Sequence, residues 1–255
     1  MVTPSHASVP SRGPAQAQAP GLFVAFEGGD GAGKSTQARL LAESLRAAGH
    51  EVLLTREPGG TEIGEKLRAL VLEHGHGEID PRTEALIFAA ARAAHVAQAI
   101  GPALARGAVV ITDRYIGSSV VYQGVGRALG EDAVRALNEW ATDGLWPDLT
   151  VLLDVDEAEG RARRTAGEAA EDRLESEPDA FHRQVRSAFL QLAAARPDAS
   201  LVLDAGRAPD DLAGEIVSEV EARLRARRAA SAGTAARPAE DTAAGDPAAG
   251  KRAHA

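Results

Sequence analysis

The sequence predicts an α/β fold, a doubly wound parallel sheet with helices on both faces. Three observations predict it. Five short β-rich runs recur along the chain, at 22–26, 52–55, 109–112, 149–154 and 201–204. Each is apolar on both faces, as strands buried on both sides of a parallel sheet are. Helical patterns fill the gaps, and strand alternating with helix is the signature of the class.

The elements follow in order. The first run, Leu22-Phe23-Val24-Ala25, feeds into "FEGGDGAGKST" and then a helix carrying Leu40, Leu41 and Leu45. After the second run, Ile63, Leu67, Leu70 and Val71 fall at helical spacing. The third ends in Asp113-Arg114, and the fourth precedes an arginine-rich segment at 160–175. After the fifth, Leu212, Ile216, Val217, Val220 and Leu224 form a helical stripe ending in a basic run, which suits a helix C-terminus. In such a sheet ligands bind at the carboxyl ends of the strands.

Composition bounds the rest. The 255 residues are 44% hydrophobic and 25% charged, which fits one sizeable domain. A net charge of −9 argues against a nucleic-acid or membrane-surface partner, both of which favour a basic face. There is no cysteine, so disulfides, thiolate metal sites and a cysteine nucleophile are excluded; the cytoplasm is the expected compartment. No run approaches the roughly 18 apolar residues of a membrane span. Residues 1–20, with Pro4, Pro10, Pro14 and Pro20, read as a flexible leader without a signal-peptide core. Residues 229–255 hold no Leu, Ile, Val, Phe, Tyr or Trp and read as a disordered tail. The folded domain is expected at 21–228.

Gly28-Gly29-Asp30-Gly31-Ala32-Gly33-Lys34-Ser35, followed by Thr36, satisfies G-x-x-x-x-G-K-[ST] between a strand and a helix. Glycines let backbone N–H groups turn inward around phosphate oxygens, and the helix N-terminus adds positive potential. Lys34 is expected to reach the β- and γ-phosphates, with the Ser35 hydroxyl on Mg²⁺. The chain therefore reads as a P-loop nucleoside-triphosphate binder. It has no guanine-reading N-K-x-D.

Four stretches bear on the acceptor. "TREPGGTEIGEKLR" (55–68) places Arg56 and Arg68 at the ends of a loop also holding Glu57, able to clamp a monophosphate or to form a solvated turn. In "LIFAAARAAH" (86–95), Phe88 and Arg92 lie four apart on one helix face. They either stack and read a base, or serve the core and the solvent; His95 reads as structural. "VVITDRYIGSSVVYQG" (109–124) ends a strand in Asp113, placed like a Walker B acid, then offers Arg114, Ser119, Tyr122 and Gln123. "GRARRTAGEAAEDRLE" (160–175) carries Arg161, Arg163, Arg164 and Arg173, as a lid or as a charged surface.

Together these segments resemble the thymidylate kinase family. "REPGG" with "DRY-x-x-SS-x-x-YQG" carries the resemblance, which runs over about 22–225 in family order. It implies a nucleoside-monophosphate-kinase fold with five parallel strands, and phosphorylation of dTMP to dTDP by ATP with Mg²⁺, a step toward dTTP. Ser35 and Asp113 would hold the metal, and Arg56, Arg68 and Arg114 the acceptor phosphate. Phe88 would stack on thymine, with Arg92, Ser119 and Gln123 reading its edge. Tyr122 would crowd the 2′ position, and Asp30 would lie near the acceptor sugar. Family members draw their catalytic arginine from the phosphate loop or from the lid. Gly31-Ala32 leaves the loop without one, so Arg163 or Arg164 is the expected donor, with Arg173 the alternative. An acid often precedes the helix arginine in the family; Ala91 stands there, leaving open what orients Arg92. The family also implies a homodimer. A kinase for another small acceptor and a non-catalytic nucleotide-binding module are the rival readings; the three acceptor-side arginines favour a monophosphate acceptor over a neutral nucleoside.

Overall fold

The computed structural model of the chain describes residues 21–166 and 172–235. The expected leader at 1–20, the middle of the expected lid at 167–171 and the tail beyond 235 lie outside the described residues. Five strands, β1 (Leu22–Glu27), β2 (Val52–Arg56), β3 (Val109–Asp113), β4 (Leu149–Asp154) and β5 (Ser200–Asp204), form one sheet of order β2-β3-β1-β4-β5. Every pairing is parallel. The five expected runs thus become the five strands, four of them one residue longer, β1, β2 and β3 at the carboxyl end and β5 at the start.

The period-2 alternation of β1 shows why both faces are covered. Leu22, Val24 and Phe26 pack with Leu41 and Leu45 of α1 (Lys34–Ala47) and with Leu212, Ile216 and Val220 of α9 (Pro209–Ala235). Phe23 and Ala25 point to the other face, where Ile100, Tyr115, Ile116 and Val120 meet them. Phe23 and Tyr115 contact edge to face, with centroids 4.8 Å apart.

The remaining helices are α2 (Glu62–Leu72), α3 (Pro81–His95), α4 (Gly101–Ala105), α5 (Ile116–Ser119), α6 (Glu131–Ala141), α7 (Glu157–Thr165) and α8 (Asp179–Ala194). A π-helical turn, Val96–Ile100, joins α3 to α4, and a second, Val120–Gly126, continues α5. The start of α3 is fixed by sequence: Asp80 accepts from the Arg82 and Thr83 N–H groups, and Pro81 opens the helix. A third core of Val71, Phe88, Val121, Tyr122, Val185 and Phe189 ties α2, α3 and α8 together beside the strand ends.

Helix α9 continues to Ala235, past the domain boundary expected at 228. Its last turns are alanine-rich, and alanine propagates a helix that is anchored upstream. The anchor is Arg227, whose guanidinium donates to the Gly21 carbonyl at 2.7 Å and pairs with Asp148.

Candidate active site

The phosphate loop joins β1 to α1. Gly28, Gly31 and Gly33 have φ of 133°, 80° and 87°, conformations that L side chains rarely adopt. Space is equally restrictive at two of them. A Cβ on Gly28 would stand 2.3 Å from the Leu153 carbonyl oxygen, and one on Gly31 2.1 Å from that of Gly160 in α7. The loop is thus pressed between β4 and the lid helix, which explains why a longer residue is absent at position 31 here. Lys34 Nζ donates to the Gly29 carbonyl at 2.7 Å, folded back across the loop. Burial, and then the charge of Arg114, lower its ammonium to about 8. Ser35 Oγ donates to Asp113 Oδ2 at 2.5 Å, so the helix start and the end of β3 meet.

Arg114 follows Asp113 in a left-handed conformation, φ 69°. Its guanidinium pairs with Asp30 and donates to the Gly28 carbonyl at 3.1 Å and to Ser118 Oγ at 3.0 Å. Tyr122 donates its hydroxyl to Asp30 Oδ2 at 3.1 Å and lies under the guanidinium, 5.2 Å from its carbon. Burial alone would raise the Asp30 carboxyl, but Arg114 and then Lys34 hold it well below the usual carboxylate range. Burial pushes the Tyr122 phenol up, so it stays a donor. Glu27, at the end of β1, accepts from the Tyr115 and Ser118 N–H groups, both at 3.0 Å, and from Ser118 Oγ at 2.6 Å. It therefore pins the turn carrying Arg114.

On the acceptor side, Arg56 pairs with Glu65 at 3.0 Å, and Arg68 Nη1 donates to the Pro58 carbonyl at 2.9 Å. Burial, and next the Arg56 charge, push the Arg68 guanidinium below its ordinary value. Two like charges held close in a cleft favour an anion between them.

Deeper in, Arg92 is 2% exposed. Its Nε donates to Glu57 Oε2 at 2.6 Å, Nη1 donates to Ser119 Oγ at 2.9 Å and to Asn138 Oδ1, and Nη2 donates to the Tyr115 carbonyl at 3.0 Å. Glu57 is held in turn: His95 Nδ1 donates to its Oε1 at 3.0 Å, and His95 Nε2 lies 2.7 Å from Thr55 Oγ1. Ala91 is buried, so Glu57 and Asn138 orient Arg92 from outside its own helix. Phe88 and Gln123 line the same wall.

Lid residue Arg163 donates to Glu159 at 2.5 Å and to the Ala205 carbonyl at 3.0 Å while lining the cleft. Arg161 is tied to Asp179 at 2.6 Å. Arg173 turns the other way, to Glu84 Oε2 at 2.5 Å and the Val71 carbonyl at 2.9 Å, and does not line the cleft. The side chain of Arg164 lies outside those described.

One cleft of about 460 Å³ gathers Asp30, Gly31, Gly33, Lys34, Ser35, Thr36, Arg56, Glu57, Arg68, Phe88, Arg92, Asp113, Arg114, Ser119, Tyr122, Gln123 and Arg163. Of the remaining expected residues, Gly28 and Gly29 shape the loop from behind, and Ala32 is buried in the core. Sequence reasoning missed Glu27, Glu84, Ser118 and Asn138. A signal existed for Glu84, one helical turn before Phe88 on the same stripe as Arg92. Nothing local marked Asn138, which is brought in from α6 by tertiary packing.

Comparison with known proteins identifies the family. A family model described as Thymidylate kinase matches residues 26–216. Thymidylate kinase of Clavibacter sepedonicus is 53% identical over 216 residues, covering 85% of this chain and 99% of that protein. The enzyme of Leifsonia xyli subsp. xyli is 53% identical over 205 residues, covering 80% of this chain and 97% of its own. A crystal structure of thymidylate kinase from Ehrlichia chaffeensis superposes with a TM-score of 0.64 at 32% identity, covering 79% of this chain and 99% of that one.

Proposed function

This chain belongs to the thymidylate kinase family and phosphorylates dTMP to dTDP with ATP, and we propose that the cleft described above carries the transfer with its arginines, Lys34 and an aromatic base pocket. The observation that supports it is the continuity of that cleft, from a phosphate loop through paired cations to a buried pocket holding Phe88, Arg92 and Gln123.

The acceptor phosphate sits against Arg56, Arg68 and Arg114, whose guanidinium forks match its oxygens. Being already an anion, it needs no general base. Lys34 supports the triphosphate, and Arg163, released from Glu159, approaches the γ-phosphoryl group and stabilises the charge that spreads over its oxygens during in-line transfer. Mg²⁺ fits the Ser35 hydroxyl and the Asp113 carboxylate, two oxygen groups that meet at 2.5 Å; these residues would hold it, and it would supply positive charge that offsets that of the phosphates. Phe88 stacks on thymine, Ser119, Arg92 and Gln123 face its edge, and Tyr122 and Asp30 lie beside the deoxyribose. Closure of α7 over the loop excludes water, whose attack would waste ATP.

The reading includes a homodimer and a cytoplasmic location. The neighbouring helices α2, α3 and α6 expose Ile63, Leu70, Leu86 and Trp140, the last two 56% and 83% exposed, and a second copy would cover them. None of the helices among the described residues is long and apolar enough to cross a membrane.

A coupled ADP-release assay with dTMP, dUMP, dCMP, dGMP and thymidine tests the proposal. dTMP is expected to be preferred, with dUMP measurable, because one methyl is worth only about 1–3 kcal/mol. Equal turnover of dUMP and dTMP would discard the base pocket. Arg163→Met is expected to lower kcat by about 10³ with little change in either KM; unaltered kcat would move the catalytic role to another arginine.

A further inference from the structure

Glu84 has no part in the reaction as read so far, yet it is 0% exposed and receives three side chains. Gln123 Nε2 donates to its Oε1 at 2.8 Å, Arg173 Nη2 to its Oε2 at 2.5 Å, and Arg127 pairs with Oε2 at 3.3 Å. A carboxylate accepts hydrogen bonds and does not donate them. A glutamine amide has one end of each kind. Glu84 takes one of the two Nε2 hydrogens and so fixes which way the amide is turned, Nε2 toward Glu84 and the acceptor Oε1 on the opposite side of the group.

Arg92 supplies the other half. Guanidinium has five N–H donors. Among the described residues four are taken, by Glu57, Ser119, Asn138 and the Tyr115 carbonyl. One Nη2 hydrogen remains, on a side chain that lines the cleft. Arg92 and Gln123 therefore offer one donor and one acceptor in fixed order. Thymine carries the complement, a 4-carbonyl acceptor beside the N3–H donor. Cytosine reverses both, with a 4-amino donor beside an unprotonated N3.

We propose that Glu84 is a specificity-determining positioning residue: by holding Nε2 of Gln123, it sets the polarity of the base-reading wall and so rejects cytosine. The inference rests on the reading of this pocket as the thymine site. Glu84 touches no substrate and acts through Gln123 alone. In a dry pocket a mismatched polar pair leaves buried groups unsatisfied, which is where large discrimination comes from.

The test is Glu84→Gln, nearly isosteric, whose carboxamide can either donate or accept and so frees the Gln123 amide to turn over. Steady-state kinetics with dTMP, dUMP and dCMP are expected to show the dCMP-to-dTMP ratio of kcat/KM rising at least about tenfold. The change should fall in the acceptor KM, with dUMP following dTMP and the KM for ATP unmoved. A ratio within about twofold of the parent, or an equal loss for all three acceptors, overturns the proposal, since a merely structural role moves them together. Gln123→Met is measured in parallel. If that variant leaves the ratio unchanged, the base reading itself falls; if it lowers discrimination while Glu84→Gln does not, only the role of Glu84 falls. Should Glu84→Gln not fold, Glu84→Gln with Arg173→Gln removes the anion together with one of its cations and carries the same comparison.

Discussion

Lys34 sits in the free protein with its ammonium lowered to about 8, chiefly by burial and next by Arg114. A bound triphosphate adds negative charge and favours the protonated form. Binding ATP must therefore take up a proton once the medium is above about pH 8, and affinity should fall as pH rises from 7 to 9.5. Calorimetry in buffers of different ionisation enthalpy checks this; a flat affinity, or no proton uptake, would discard the assignment. The effect on stability has the opposite direction. The unfolded chain keeps its Lys34 proton up to about the ordinary 10.5, so the nucleotide-free fold gains stability from this residue as pH rises through that window. Lys34 was legible in the sequence because a loop motif is local. Asn138 and Glu27 were not: their value lies in groups they meet far along the chain, at Arg92 and at the Tyr115–Ser118 turn.

Among the elements, the phosphate loop and α7 constrain each other. Gly31 has φ 80° and a Cβ there would fall 2.1 Å from the Gly160 carbonyl oxygen. A left-handed alanine alone costs about 1 kcal/mol, and relief of the contact must move either the loop or α7. Gly31→Ala should raise the KM for ATP at least about tenfold and lower kcat, while dTMP binding, read by isothermal titration, stays within about twofold. An unchanged KM for ATP would show that α7 yields freely. The five strands and the order of helices were readable because apolar period and glycine turns are local signals. The split of the 160–175 segment was not. Arg163 and Arg173 stand ten residues apart, and only the acceptors that each meets, Glu159 with Ala205 for one and Glu84 for the other, send them in different directions. For α3 the spacing was legible but incompletely used: Phe88 and Arg92 were found on one face, and Glu84, one turn earlier on the same stripe, was passed over although the spacing marked it.

For the molecule as a whole, the exposed Trp140 is the point at which self-association can be probed. Trp140→Glu is expected to shift the protein toward monomer in analytical ultracentrifugation, with its melting temperature nearly unchanged at high concentration if the single chain is self-sufficient. A parent protein that is already monomeric at micromolar concentration would end the homodimer reading. Helix α6 turns Asn138 inward onto Arg92 and, two residues later, Trp140 outward. In a homodimer paired through this helix, a contact that steadies it from outside would also steady the arginine within, and linkage would make the effect reciprocal. dTMP would then strengthen association by the same factor by which association tightens dTMP. Dilution below the dissociation constant of the pair would then weaken nucleotide binding although no residue of the cleft has changed, and the enzyme would sense its own abundance.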